Sequence, residues 1–159
     1  MRPSTPTMPS LTMPSLTLPS PFGPLTITAA NGMLTTLEWR AGHDDASDLL
    51  QEAARQITAY FAGSRDAFTL PVDKGTGIHA AVRRAMQAIP FGETRTYGEI
   101  ATALHTNAQA VGQACGANPL PIIIPCHRVM GTGWFGGFSA PGGVETKAAL
   151  LRLEGALLL

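Results

Sequence analysis

Cys126, His127 and Arg128 follow one another directly after Ile122-Ile123-Ile124-Pro125. An apolar run that reads as a buried strand stops at a proline. A candidate nucleophile, a candidate base and a fixed positive charge then stand at the rim of a core. A cysteine attacks only as thiolate, so it needs a base, a cation or a helix N-terminus nearby. Side chains adjacent in sequence diverge on a strand or a helix, so Cys126 and His127 would have to communicate through a water or a local turn. A third group should orient the imidazole, and Glu154 is a suitable carboxylate. The competing reading is an inert core thiol, because free cysteines are among the most buried residue types. Assembling Cys115, Cys126 and His127 with His105 or His79 matches no zinc-ligand spacing, so neither metal nor cofactor is expected.

Elements that could position this cluster can be read on both sides of it. Gly131-Thr132-Gly133-Trp134-Phe135-Gly136 spells GxGxxG. A dinucleotide fingerprint lies between a strand and a helix, and here no helix can begin before about Val144. The segment is better read as a close-packed loop beside the cysteine, followed by a closing helix from Val144 to Leu153 that Glu154-Gly155 ends. Upstream, Ile78, Val82, Ala85, Met86 and Ile89 form one helix face, and Pro90-Phe91-Gly92 stops that helix. Thr96 and Glu99 have capping-box spacing, which predicts a helix from Tyr97 with Ile100, Ala101 and Leu104 inward. A break at His105-Thr106-Asn107 leads to a second short helix, with Thr106 and Gln109 again at capping-box spacing. Two short helices joined by a tight turn are a helix-turn-helix or a plain helical hairpin. The second helix is almost bare: Ala108, Ala110, Gly112, Ala114, Gly116 and Ala117 are small, and no Lys or Arg is present. Such a face suits a narrow minor groove or tight helix packing.

The first half carries no catalytic cluster. Leu25–Ala30 and Met33–Trp39 flank Asn31-Gly32, a strong hairpin signal. Residues 45–61 place Leu49, Ala53, Ile57, Tyr60 and Phe61 on one helical face, and Phe68–Val72 could add an edge strand. Residues 1–20 repeat Met-Pro-Ser-Leu-Thr and read as a disordered tail. The expected organisation is α+β: a tail over 1–20, a small α/β scaffold with a hairpin and a helix over 21–74, and a mainly helical domain over 75–159.

At 159 residues and 45% hydrophobic content, the chain can bury a real core. Its formal net charge is zero, so there is no global electrostatic argument for nucleic acid. Residues 1–73 hold four Lys/Arg against seven Asp/Glu, and residues 74–159 hold seven against four, which makes the second half the better side for an anionic partner. Two cysteines without Cys-x-x-Cys fit a reducing compartment. No signal peptide or membrane span is read, so a cytoplasmic location is expected.

The segment Ile122–Val129 resembles the active-site signature of the methylated-DNA–protein-cysteine methyltransferases, the single-turnover alkyltransferases that repair O6-alkylguanine. The likeness extends in order through Pro90–Thr94, Thr96–Ala101, Ala110-Val111-Gly112, Asn118-Pro119 and Lys147–Gly155. It continues more loosely over residues 21–73. The resemblance implies that Cys126 takes an alkyl group from guanine O6, with O4-alkylthymine a candidate second substrate, and is not regenerated. It implies His127 as base through a water, Glu154 orienting it, and Asn118 bracing the turn before the cysteine. Tyr97 would help rotate the nucleotide out and bind the base. Carbonyls of Cys126 and Val129 and the amide of Ser139 would read the guanine edge, with Phe138 beside them. The helix bearing Gln109, Ala110 and Gly112 would lie in the minor groove of double-stranded DNA, and Arg128 and Lys147 are counted with the substrate- and DNA-binding residues. The protein is expected to act as a monomer. Three positions depart from the pattern: Gln109 where the family places an arginine that fills the gap left by the flipped base, Arg83 where it often has an aromatic residue, and Phe138 where it often has tyrosine. Rival readings are a lesion-binding module without transfer, a thiol hydrolase and an alkylation-sensing regulator.

Overall fold

The structure, a computed structural model, describes residues 13–133, 135–138 and 140–157. Strands β1 (Ser15–Leu18), β2 (Leu25–Ala30) and β3 (Met33–Glu38) form an antiparallel sheet in sequence order, and helix α1 (Asp48–Phe61) packs on it. Asn31 and Gly32 both have positive φ, 53° and 75°, as the tight hairpin turn between β2 and β3 requires. Ser47 starts α1 by accepting from the Leu50 amide.

The expected tail does not extend to residue 20. Ser15–Leu18 pairs antiparallel with Leu25–Thr28 as β1, with Ser15 and Leu18 buried at its two ends. Residues 1–12 lie outside the described residues. The expected edge strand over 68–72 reduces to one isolated bridge between Leu34 and Val72.

The second half contains α2 (Gly77–Gln87), β4 (Arg95–Thr96), α3 (Tyr97–Ala103), α4 (Ala108–Gly116), a 3₁₀ turn (Cys126–Arg128), β5 (Val129–Met130) and α5 (Val144–Leu153). β4 and β5 pair in parallel, which brings the start of α3 beside the chain leaving Arg128. The Thr96–Glu99 capping box is complete in both directions. At α4 the capping residue is Asn107, which accepts from the Ala110 amide. The alternative cap at Thr106 with Gln109 does not form, and this frees Gln109. One buried apolar cluster joins both halves, from Leu25, Ile57 and Tyr60 to Met86, Val111, Ile124 and Leu150. The Leu37 amide of β3 bonds the Pro119 carbonyl at 2.8 Å, tying the sheet to the turn that precedes the cysteine.

That turn is not the strand expected from its composition. Leu120, Ile122 and Ile124 are fully buried, yet Ile122 has φ 73°. A β-branched residue in the left-handed region costs on the order of 1–3 kcal/mol. Three bonds hold it there: Ile124 N to Leu120 O at 2.8 Å, Asn118 Nδ2 to Ile124 O at 2.8 Å, and Leu120 N to Asn118 Oδ1 at 3.1 Å. Asn118 thus spans the turn from inside.

Candidate active site

Cys126 opens the 3₁₀ turn and lines a cavity of about 790 Å³. The walls come from Tyr97 and Gly98 of α3, from Gln109, Gly112 and Cys115 of α4, and from Gly137 and Phe138 of the following loop. The residue is 9% exposed. Burial pushes its pKa up, while a hydrogen bond with Asn118 and the charge of Lys147 oppose the shift. It is therefore a protonated thiol at neutral pH and needs a base to react.

The base sits one residue on. The 3₁₀ turn sends His127 inward, fully buried, where its Nε2 lies 2.7 Å from Glu154 Oε2. Glu154 ends α5 as its C-cap, and its side chain is completely enclosed. Burial alone would raise its pKa, but hydrogen bonds from His127, Arg128 and Tyr60 outweigh that and hold it at about 2. An ionised carboxylate can only accept, so Nε2 carries the proton and Nδ1 presents the lone pair. Nδ1 has no protein partner among the described residues. Burial depresses the His127 pKa, Glu154 raises it, and Arg128 and Lys147 lower it further. The result is a neutral imidazole with an unpartnered basic nitrogen, one residue from a protonated thiol.

The structure relocates two expected DNA-binding cations. Arg128 is 6% exposed and its guanidinium is held inside the protein. Its Nε reaches Glu154 Oε1 at 2.8 Å, a terminal nitrogen reaches Oε2 at 3.0 Å, and the other reaches the Ile89 carbonyl at 2.8 Å. Lys147 is fully buried, its Nζ donating to the carbonyls of Val129 at 2.5 Å, Phe135 at 2.6 Å and Gly137 at 3.3 Å. Desolvation lowers its pKa to about 8. A buried charge must be paired or hydrogen-bonded, and both residues meet that demand inside the protein. Arg83 is also buried and reaches the Ala117 carbonyl, the C-cap of α4, at 3.3 Å; a cation there complements the helix dipole. The charge excess of the second half is therefore largely internal, and the described cavity lining carries no charged side chain.

The remaining expected residues fall at the cavity or beside it. Gln109 is exposed on the cavity wall with Ala108 and Gly112, while Ala110 lies one position round the helix and half-buried. Tyr97 is half-buried on the opposite wall, so close to the loop that a Cβ at Gly136 would stand 2.5 Å from its hydroxyl. Only glycine, with φ 76° there, lets the loop pass. The Val129 carbonyl accepts from Lys147. Phe138 lines the cavity and packs edge-on against Trp39 from the end of β3, centroids 6.4 Å apart. Ser139 lies outside the described residues, as does Trp134. Cys115 shares the cavity wall; burial pushes its pKa up to about 12, and its thiol rests 3.6 Å from the Met86 sulfur.

Sequence reasoning missed Tyr60 and Trp39. Tyr60 was legible only as an apolar position on α1, yet its hydroxyl donates to Glu154 Oε2 at 2.6 Å across 94 residues. The available signal was chemical: a tyrosine at a fully buried helical position needs a partner for its hydroxyl.

The carboxylate network predicts an acid-side stability profile. The unfolded Glu154 binds its proton near pH 4.5 and the folded one only near 2, so this contribution is complete above 4.5 and lost as pH falls toward 2. Its size at neutral pH is roughly 3 kcal/mol. The neutral buried His127 adds a loss that begins as pH drops below its unfolded value of 6.5. Urea midpoints measured from pH 7 to pH 3 should fall across this range, and Glu154→Gln should flatten the lower part.

Comparisons with known proteins agree with this geometry. The family model for the DNA binding domain of 6-O-methylguanine DNA methyltransferase matches residues 77–156, and the model for its ribonuclease-like domain matches residues 15–74. A Mycobacterium tuberculosis methylated-DNA–protein-cysteine methyltransferase is 41% identical over 147 residues, covering 85% of this chain and 88% of the relative. The chain belongs to the methylated-DNA–protein-cysteine methyltransferase family. A family member from Methanosarcina acetivorans is 37% identical over 149 residues, covering 86% of this chain and 94% of that protein. The crystal structure of Mycobacterium tuberculosis OGT in complex with DNA matches this alkyltransferase with a TM-score of 0.77 and 39% identity, over 89% of this chain and 92% of that one. No helix of the described residues in this family member is long and apolar enough to cross a membrane.

Proposed function

We propose that this protein repairs DNA by moving an alkyl group, methyl above all, from guanine O6 to Cys126, once per molecule. The observation that carries the reading is the pairing of a protonated thiol on the wall of a cavity of about 790 Å³ with a neutral imidazole. Glu154 holds that imidazole so that its free Nδ1 is the basic atom. His127 Nδ1 takes the thiol proton through a bridging water. Sγ attacks the alkyl carbon in line, the S–C bond forms as the C–O6 bond breaks, and the departing guanine anion recovers the proton. The product thioether has no leaving group that water can displace under these conditions, so the protein is spent.

Guanine O6 cannot be reached inside a duplex, so the nucleotide must rotate out. The small residues of α4 at the cavity, Ala108, Gly112 and Gly116, suit close approach to a minor groove. Tyr97 and Phe138 then flank the base, and backbone carbonyls of the site read its edge. Lys147 serves by fixing the loop from behind, and Arg128 by holding Glu154.

The test is direct. Incubated with duplex DNA carrying O6-methylguanine, the protein should gain one methyl on the peptide containing Cys126, in a one-to-one burst without turnover. Continued turnover would favour a hydrolase. An unmodified protein that still binds the lesion would favour a recognition module.

Gln109 bears on how the base is delivered. It stands exposed on the cavity wall and lacks the charge and planar stacking surface of the family's usual arginine. Gln109→Arg is expected to tighten DNA binding and quicken transfer about three- to tenfold at moderate salt. Filter binding and single-turnover rates would check this, and unchanged values would show that Gln109 is not a wedge.

A further inference from the structure

Three donors converge on one oxygen in the buried network. Tyr60 Oη lies 2.6 Å from Glu154 Oε2, His127 Nε2 lies 2.7 Å from it, and an Arg128 terminal nitrogen lies 3.0 Å from it. Oε1 receives Arg128 Nε at 2.8 Å. A carboxylate oxygen offers about two lone-pair sites, so the three donors compete for the same electron density.

We infer that the Tyr60 hydroxyl sets how strongly Glu154 acts on His127, which makes the N-terminal sheet-and-helix half part of the base machinery. The inference rests on the alkyl-transfer reading for its functional consequence and on geometry for its existence. Tyr60 is not steered by Glu154 alone. Its ring is 1% exposed and packed against Phe61 and Phe68, with centroids at 5.4 Å, and against Phe91 at 6.3 Å. The edge-to-face contacts continue from Phe61 through Phe22 and Trp39 to Phe138 on the cavity wall. The N-terminal half therefore fixes the hydroxyl in place and presents it as a donor of set strength.

Among the described residues, four groups act on His127. Glu154 and Lys147 come from α5, Arg128 from its own turn, and Tyr60 from α1 through Glu154. Arg128 still holds both Glu154 oxygens when the Tyr60 hydroxyl is removed. Loss of the hydroxyl should then leave the carboxylate in place but free more of its charge for the Nε2 proton. That favours the imidazolium, so the His127 midpoint should rise. Tyr60 is a positioning residue: it touches neither Cys126 nor substrate.

The test uses the full chain with Tyr60→Phe, which keeps the ring and its packing. The His127 imidazole is titrated by NMR, and single-turnover methyl transfer is followed against pH. The expected result is an upward move of the His127 midpoint by about 0.5 pH unit or more, an equal displacement of the acid limb of the transfer profile, and unchanged DNA affinity. Site-specific 3-fluorotyrosine at position 60, a stronger donor that preserves the hydrogen bond, should move the midpoint the other way. It also keeps the idea testable if the phenylalanine variant folds poorly. An unmoved midpoint in both variants overturns the inference and leaves the hydroxyl as a satisfied buried group. The NMR arm stands independently of repair: a moved midpoint in a protein that takes no methyl would support the coupling and sink the alkyl-transfer reading.

Discussion

Cys126→Ser is expected to abolish alkyl transfer, by at least about 10³-fold in the single-turnover rate, while lesion binding and fold survive. A serine hydroxyl is far less acidic and less polarisable than a thiol, so it is a much poorer nucleophile toward a saturated alkyl carbon in the same site. The cavity walls on α3, α4 and the loop are untouched by the exchange. Asn118 keeps its bonds to Ile124 and Leu120, so the strained turn at Ile122 should hold. Stability should change by no more than about 1 kcal/mol. The check is a paired measurement: methyl transfer by mass, and binding of O6-methylguanine duplex by anisotropy. Transfer that persisted would move the acceptor to another residue, and Cys115 on the same cavity wall would be the first to inspect.

Glu154→Ala should do more damage than the loss of the nucleophile, because it removes fold and chemistry together. It would leave Arg128, 6% exposed, without a counter-charge, and His127 and Tyr60 without the acceptor they share. Breaking a buried pair from one side typically costs about 3–5 kcal/mol, a large part of the stability of a domain this size. With Nε2 unpartnered the imidazole can also adopt the other tautomer, which points a proton rather than a lone pair toward the thiol. Chemical denaturation should show the drop in midpoint. Any folded fraction should transfer methyl at least about 10²-fold more slowly. Glu154→Gln separates the two effects: it keeps the volume and an acceptor, so it should recover part of the stability and little of the rate. A wild-type midpoint for Glu154→Ala would mean that Arg128 finds another partner.

These expectations divide according to how far apart the interacting residues lie in the chain. Local signals were reliable. Asn31-Gly32 made the hairpin because two consecutive positive φ angles need such residues. Thr96 with Glu99 made the capping box, and the small residues of 108–117 did expose a bare face to the cavity. Local competition was harder to judge. Asn107 displaced Thr106 as the cap of α4 because its side chain reaches the Ala110 amide. Ser15–Leu18 became a strand despite its proline-rich surroundings, because β2 offered an unpaired edge. The Ile122–Ile124 run looked like a strand by composition and is a buried turn instead, because Asn118 bonds across it and the core encloses it.

By itself the sequence set a thiol beside an imidazole and offered Glu154 as a candidate carboxylate, and the resemblance of the motifs from Pro90 to Gly155 to the family's order implied that the three share one site. Which way each charge faces was decided only by tertiary structure. Arg128 and Lys147 were counted with the substrate- and DNA-binding residues, although Lys and Arg are almost never fully buried unless paired. Both turn inward, since Glu154 and the carbonyls of Val129, Phe135 and Gly137 arrive from distant positions to bind them. Tyr60 joins the site for the same reason. The hydroxyl and the carboxylate stand 94 residues apart, and no periodicity in the chain encodes a hydrogen bond that exists only once α1 and α5 pack on a common core.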